Sequence, residues 1–429
     1  MKIAQVVSSM LSPLGGAEQY CLELSRWLRD HGHEVTIITG WISPDVEAQL
    51  AAEGFGVRVV RSRRPYPPDR KGSRPAAALF HALDLAGSVV TAPALRRALA
   101  DGWDQVHVHR VAGWGTALLR STPAPVVLTV HDYALVDTST TLLRRGVEAP
   151  RPPLVQRVRT AIVSRTVASA HLVFPSARLR QKHVAWGLRL PERTTVLPHG
   201  WRLGARQAGL DTPLRGYSTS GGLDTPLRGY STSGPVDTPL RGYSTSGPVV
   251  FLFLGKLLGT KGVGLLLEAW GEGIDGAELW IAGSGPLEAD VDRAAAAGRV
   301  RKLGWLDETA RRTALAAASA LVLPSIWPEN FQLAAAEGVL AGLPILSTTI
   351  AAPPVVDPEH SGLLVAPDAA SIRAGLERLM DAELRSRLAA GARARAQELD
   401  FDVHGERVLA TYGGARTPVR GYSGSEDRA

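Results

Sequence analysis

Short apolar runs alternate with stretches of helical periodicity along most of the chain, and the alternation occurs twice. Residues 3–7 read as a buried strand and residues 8–16 as a loop. Ala17, Cys21, Leu24 and Leu28 then recur at helical spacing until Gly32 stops the helix before a second strand at 35–38. Further apolar runs at 106–109, 126–130, 172–175 and 195–197 complete a first half. The second half opens with a strand at 249–254, a glycine and lysine loop at 255–264 and a helix at 265–270. Strands at 278–282, 300–303, 321–323, 345–347 and 362–365 follow, with helical runs between them. Strands alternating with helices predict a doubly wound parallel sheet in each half, an α/β protein with two Rossmann-like domains.

A tandem repeat separates the halves. Asp211, Asp224 and Asp237 each open the unit DTPLRGYSTSG, and residues 417–423 echo it. One leucine and one tyrosine per unit bury too little surface to fold, so the repeat is expected to be a flexible linker. The expected division is a first α/β domain at 1–205, the repeat linker at 206–247 and a second α/β domain at 248–400. A helix at 401–413 crosses back to the first domain in this reading, and a disordered tail occupies 414–429. At 429 residues the chain exceeds one ordinary core, which agrees with two domains.

Composition narrows the class. With 45% hydrophobic and 6% aromatic residues the chain reads as a soluble α/β protein. Cys21 is the single cysteine, which excludes an internal disulfide and a cysteine-built zinc site and suits a reducing, cytoplasmic setting. No apolar run approaches the ~20 residues of a spanning helix, and no signal peptide is expected at 1–10 because Gly15-Gly16 follows too soon. The net charge of +7 suits an anionic partner. Arginine-rich segments at 58–75 and 144–165 suit solvated faces. If Arg144, Arg145, Arg151, Arg157, Arg159 and Arg165 share a face, they suit a peripheral contact with an anionic membrane. Nucleic acid is not an expected partner, since no recognised binding module or aromatic platform accompanies these runs.

Candidate chemistry concentrates at 321–344. A buried strand ends at Pro324, an irregular turn carries Glu329, and residues 331–340 read as a helix carrying Glu337. Two such glutamates also suit a solvated helix face. The strand before them favours a site instead, because ligands of open parallel sheets bind beyond the carboxyl ends of strands. Lys256 and Lys261 flank the first loop of the second half and suit a diphosphate, although the spacing of a P-loop is missing and an NTPase is disfavoured. Gly15-Gly16 opens the first helix, where backbone amides favour an anion. His131 directly follows a buried strand and suits a hydrogen bond in the crevice, whereas His107 and His109 read as structural. Two Asp-x-Asp triplets, at 290–292 and 400–402, fall in helical or helix-start sequence, so no metal is expected.

Taken in order, these pieces resemble the retaining nucleotide-sugar glycosyltransferases of the GT-B fold, glycosyltransferase family 4. The matching segments are GGAEQY at Gly15, TVHD at Thr129, FPS at Phe174, VLPHG at Val196, GKLLGTKG at Gly255, IAGSGP at Ile281, LGWLD at Leu303, LPS at Leu323, ENFQLAAAE at Glu329 and GLP at Gly342. The resemblance implies a UDP- or GDP-linked sugar donor as substrate, no cofactor, and a glycan, lipid-linked or small-molecule acceptor. It implies that Gly15 and Gly16 present amides to the donor phosphate or acceptor and that His131 hydrogen-bonds the donor sugar. Lys256 and Lys261 would hold the leaving diphosphate. Glu329 would contact sugar hydroxyls, Asn330, Phe331 and Gln332 would offer main-chain amides, and Glu337 would bind the ribose. Two departures stand out: Gln332 replaces a customary glycine, and Ala351-Ala352-Pro353-Pro354-Val355 replaces a Gly-Gly-x-Pro-Glu loop. They leave open a degenerate GT-B protein that binds nucleotide or glycan without turnover. A sugar-nucleotide epimerase is the other alternative.

Overall fold

The computed structural model describes residues 1–12, 14–62, 64–68, 73–100, 102–138, 140, 142–144, 147–148, 151–200 and 247–412. The three repeat units at 211–246 and the tail expected at 414–429 lie outside the described residues.

The first domain runs β1 (Lys2–Val7), α1 (Gly16–Asp30), β2 (Glu34–Thr39), α2 (Pro44–Ala52), β3 (Gly56–Val59), α3 (Arg74–Gly87), α4 (Pro93–Leu99), β4 (Gln105–Val108) and β5 (Val126–Thr129). A small antiparallel pair, β6 (Leu143–Arg144) and β7 (Val147–Glu148), precedes α5 (Leu154–Val167), β8 (His171–Phe174), α6 (Ala177–Ala185) and β9 (Thr194–Val196). The second domain runs β10 (Val249–Leu254), α7 (Val263–Trp270), β11 (Ala277–Ala282), α8 (Glu288–Ala296), β12 (Arg301–Gly304), α9 (Glu308–Ala317), β13 (Ala320–Leu323), α10 (Leu333–Leu340), β14 (Ile345–Thr348) and β15 (Gly362–Val365). Three helices close the described chain, α11 (Ala369–Arg378), α12 (Ala382–Glu398) and α13 (Phe401–Leu409).

Both sheets are parallel and doubly wound, with strand orders β3-β2-β1-β4-β5-β8-β9 and β12-β11-β10-β13-β14-β15. Apolar residues bury both faces of each sheet, which is why β5, β10 and β13 read as near-continuous apolar runs. The winding reverses at one place in each sheet. In the first, β1 pairs with both β2 and β4. In the second, β10 pairs with both β11 and β13. The crevice at such a switch point is where open α/β sheets bind ligands. It collects the loops after β1 and β4 on one side and those after β10 and β13 on the other.

The last helix belongs physically to the first domain. Phe401, Val408 and Tyr412 share a core cluster with Ile3, Trp27 and Val127. The Trp27 indole donates to Asp402 at 2.8 Å, and a Cβ on Gly405 would stand 2.4 Å from the Trp27 ring. Any side chain at 405 would lever the helix off.

Two sequence expectations change. The helix carrying Glu337 begins at Leu333 rather than at 331, because Gln332 takes left-handed dihedrals, φ 53° and ψ 83°, and breaks the ladder there. The arginine-rich segment at 144–165 does not form one basic face either. Arg159 turns inward, where its guanidinium meets the buried Asp84 carboxylate at 3.0 Å and the carbonyls of Ala134 and Leu135. A buried carboxylate needs a cation, and Arg159 supplies one at hydrogen-bond distance, with Arg64 at 3.9 Å on the other oxygen.

Candidate functional site

Lys261 reaches the crevice because of a glycine. Residues Gly259–Lys261 form a 3-10 turn that ends at Gly262 in left-handed conformation, φ 73°. A Cβ at 262 would lie 1.8 Å from the carbonyl of Pro324, so only glycine lets this loop touch the end of β13. The Thr260 carbonyl then accepts from the Ile326 amide at 3.0 Å and from Ser325 Oγ at 2.8 Å. Loop and turn are thereby locked together, and Lys261 Nζ sits 2.6 Å from Glu329 Oε1. Ser325 Oγ also lies 2.8 Å from Glu329 Oε1, so its single proton is shared between that carboxylate and the Thr260 carbonyl. Lys256 stays exposed on the other flank and has no side-chain hydrogen bond or ion pair among the described residues.

Both glutamates are buried, Glu329 8% and Glu337 6% exposed, which removes the reading of a solvated face. Glu337 lies on α10, 3.5 Å from Arg311 of α9. Burial pushes its carboxyl up to about 7; Arg311 opposes the rise and Glu308 adds to it. Ahead of α10, Asn330 and Phe331 reach across to the first domain. The Asn330 side chain donates to the His131 carbonyl at 2.8 Å, and the Phe331 ring stands 4.9 Å from that of His199. Leu333, first residue of α10, stands opposite Gly16, where a Cβ would meet it at 3.1 Å. The N-termini of α1 and α10 therefore meet where the two domains touch, each with amides that lack intrahelical partners.

Gln332 is the strained member of this loop. Its φ of 53° is a conformation that disfavours any residue with a Cβ, and its side-chain Oε1 is buried without a hydrogen-bond partner among the described residues. Ala352 repeats the pattern at φ 33°. Both departures from the family's glycines thus keep the glycine-like backbone. Gln332→Gly is expected to raise stability by about 1 kcal/mol. Thermal unfolding should show an increase of about 2–4 °C, and a decrease would mean that the glutamine side chain contributes packing the strain does not outweigh.

His131 is half-buried beside a cluster of rings. Desolvation, with a smaller contribution from the Arg110 guanidinium, holds its imidazole down at about 3, so it is neutral at physiological pH. Tyr20 lies at the centre, with ring centroids 4.2 Å from His199, 5.2 Å from His131 and 5.6 Å from His109. Its hydroxyl lies 2.8 Å from His404 Nε2 on α13. His107 lies between Thr129 Oγ1 and the Tyr412 hydroxyl, and His109 meets Gln5. These rings couple the His131 turn, the end of the first domain and the returning helix. Sequence reading found two of them as structural histidines but not the cluster, which joins positions up to 384 residues apart.

The Asp-x-Asp triplets stand away from these residues in their bonding. Asp290 and Asp292 pair with Arg293 and Lys302, and Asp400 caps α13 while Asp402 accepts from Trp27.

Both halves of the chain resemble known proteins. Residues 15–200 match the family model described as Glycosyl transferase 4-like domain, and residues 248–382 match the one described as Glycosyl transferases group 1. A phosphatidyl-myo-inositol mannosyltransferase of Mycobacterium leprae is 24% identical over 426 residues, covering 96% of each chain. Among solved structures, Anabaena Alr3699/HepE in complex with UDP-glucose has a TM-score of 0.64 at 15% identity, covering 96% of this chain and 99% of that one. Sucrose-phosphate synthase from Thermosynechococcus elongatus has a TM-score of 0.65 at 20% identity, covering 95% and 97%. These structural likenesses establish the fold that the two chains share with this one.

Proposed function

The chain belongs to family 4 of the GT-B glycosyltransferases, as the matches to both of its halves show, and from that premise we propose that it moves a sugar from a nucleotide-sugar donor to an acceptor hydroxyl with retention of anomeric configuration. The carrying observation is the Lys261–Glu329 pair at the second switch point, on the same loop whose Asn330 donates to the His131 carbonyl and whose Leu333 meets Gly16. In this reading the diphosphate lies between the N-termini of α1 and α10, and Lys261 stabilises it as it leaves. Glu329 and neutral His131 accept or donate to sugar hydroxyls, and Glu337 accepts from the ribose. The bond from the anomeric carbon to the diphosphate breaks, the bond to the acceptor oxygen forms on the same face, and the acceptor proton passes to the departing phosphate oxygen. HepE in complex with UDP and with UDP-glucose favours a UDP-linked donor as the first to test.

The test is incubation with radiolabelled UDP- and GDP-sugars, reading transfer and slow donor hydrolysis. Turnover that Glu329→Ala abolishes is the expected result. Calorimetric UDP binding without turnover of any donor would instead favour the degenerate binding protein, and a product that remains a sugar nucleotide would favour the epimerase.

The acceptor-side surface supports a membrane-proximal acceptor. On the outer face of α5, Leu154, Val155 and Val158 are 73%, 69% and 56% exposed, and Arg151, Arg157 and Arg165 are exposed beside them. No helix among the described residues is long and apolar enough to cross a membrane, so contact would be peripheral. Flotation with vesicles should recover the protein with those containing acidic lipid and lose it with neutral ones. Equal recovery removes this reading.

A further inference from the structure

Arg110 has no part in the family motifs, yet it joins two elements that carry them. It follows His109 at the carboxyl end of β4, beside the first switch point, and its side chain is 13% exposed. Nη1 lies 3.2 Å from Glu18 Oε1, in the first turn of α1. Nε lies 3.4 Å from Asp132 Oδ2, in the turn that begins with His131. Each carboxylate is itself fixed to its own element. Glu18 folds back beneath the glycine loop, its Oε2 only 2.5 Å from where a Cβ on Gly15 would be, and Ser9 Oγ approaches Oε1 at 3.4 Å. Asp132 Oδ1 accepts the Ala134 amide at 2.8 Å, which sets the turn.

We infer that Arg110 is a positioning residue for the transfer reaction: its guanidinium clamps the Gly15-Gly16 loop to the His131-Asp132 turn and so fixes the first domain's half of the donor site. Guanidinium geometry suits this, because its planar donors address two carboxylates from one rigid group where an ammonium has a single centre. Glu18 and Asp132 are 5% and 20% exposed, so neither is well screened by water. Without the guanidinium the two carboxylates lose the partner they share, and with it the tie between the two loops.

This inference rests on the transferase reading, and two measurements separate the fate of each. Hydrogen exchange of the folded protein reads the clamp without any substrate. In Arg110→Met, amides at 15–19 and at 131–134 should both exchange at least about tenfold faster, while those of the second domain do not change. Turnover reads the positioning: kcat for the labelled donor should fall about 30- to 100-fold, while UDP affinity falls much less, about threefold, because in this reading only the diphosphate meets the Gly15-Gly16 loop and the nucleoside is held by the second domain. In a His131→Ala background the same substitution should cost much less, since it acts through a side chain already removed. Arg110→Lys keeps the charge and should recover part of the rate, and Asp132→Asn should loosen only the 131–134 turn. Unchanged exchange at both segments overturns the clamp. Faster exchange with turnover intact, or losses in the two backgrounds that simply add, overturns the positioning role. A wild-type protein that turns over no donor overturns the transferase reading, and with it the positioning role, while the exchange result still decides the clamp.

Discussion

Lys261→Met is expected to lower the rate of sugar transfer about 100- to 1000-fold, the usual cost of removing one preorganised group that faces developing charge. The charge here is the departing diphosphate, and Lys261 is the ammonium that the Gly262 turn delivers to the crevice. Initial rates at saturating donor isolate this effect from binding. A second effect is structural. Glu329 has a side chain only 7% exposed, and Lys261, at 28%, is its cationic partner. Losing the lysine leaves a buried carboxylate with Ser325 alone among the hydrogen-bond donors described here. Because Lys261 is partly exposed to solvent, the stability cost is about 1–2 kcal/mol, below the range for fully buried pairs. Adding Glu329→Gln should restore stability without restoring turnover. If Lys261→Met alone kept more than a third of wild-type turnover, the lysine would not be the group that stabilises the leaving diphosphate.

Acid should unfold the protein early. His107, His109, His131, His171, His183, His199 and His404 all have imidazoles held below their ordinary value, first by desolvation. In the fold they stay neutral; in the unfolded chain they protonate near 6.5. A depressed native value gives stability that is present above the unfolded value and is lost as pH falls toward the native one, about 3 for His131 and His404 and about 4 for His171 and His183. Each such group costs about 1.4 kcal/mol per pH unit through that window. Glu337 works the other way: its value is raised to about 7, so its contribution is greatest below the ordinary carboxylate range and is lost as pH rises through 7. One carboxyl at about 3 kcal/mol does not offset several histidines, whose combined loss between pH 6.5 and 5 is comparable with a whole domain's ~5–15 kcal/mol. Urea midpoints should therefore drop steeply below pH 6.5, with an uptake of at least about four protons on unfolding near pH 5.5. A midpoint that stays flat down to pH 4.5 would show that the cluster admits protons in the native state.

Periodicity was sufficient for the sheets because parallel strands are buried on both faces and announce themselves as apolar runs. It also placed the glycine loops, His131, Lys261 and Glu329 beyond the ends of strands, where ligands of this architecture bind, and Glu337 on the helix that follows. It read β3 as part of a charged run, since a four-residue edge strand, Gly56–Val59, has one arginine in it and little burial to mark it.

Local spacing and local apolar content already fix the winding of two α/β halves and the order of motifs along them. Which side chains share a charge or a ring contact follows from packing instead. Arg159 turning inward to Asp84, Arg110 bridging Glu18 and Asp132, and four histidines gathering around Tyr20 all depend on partners distant in the chain. Burial sets the worth of a charge or an imidazole, and burial is a property of the packed molecule rather than of any segment within it.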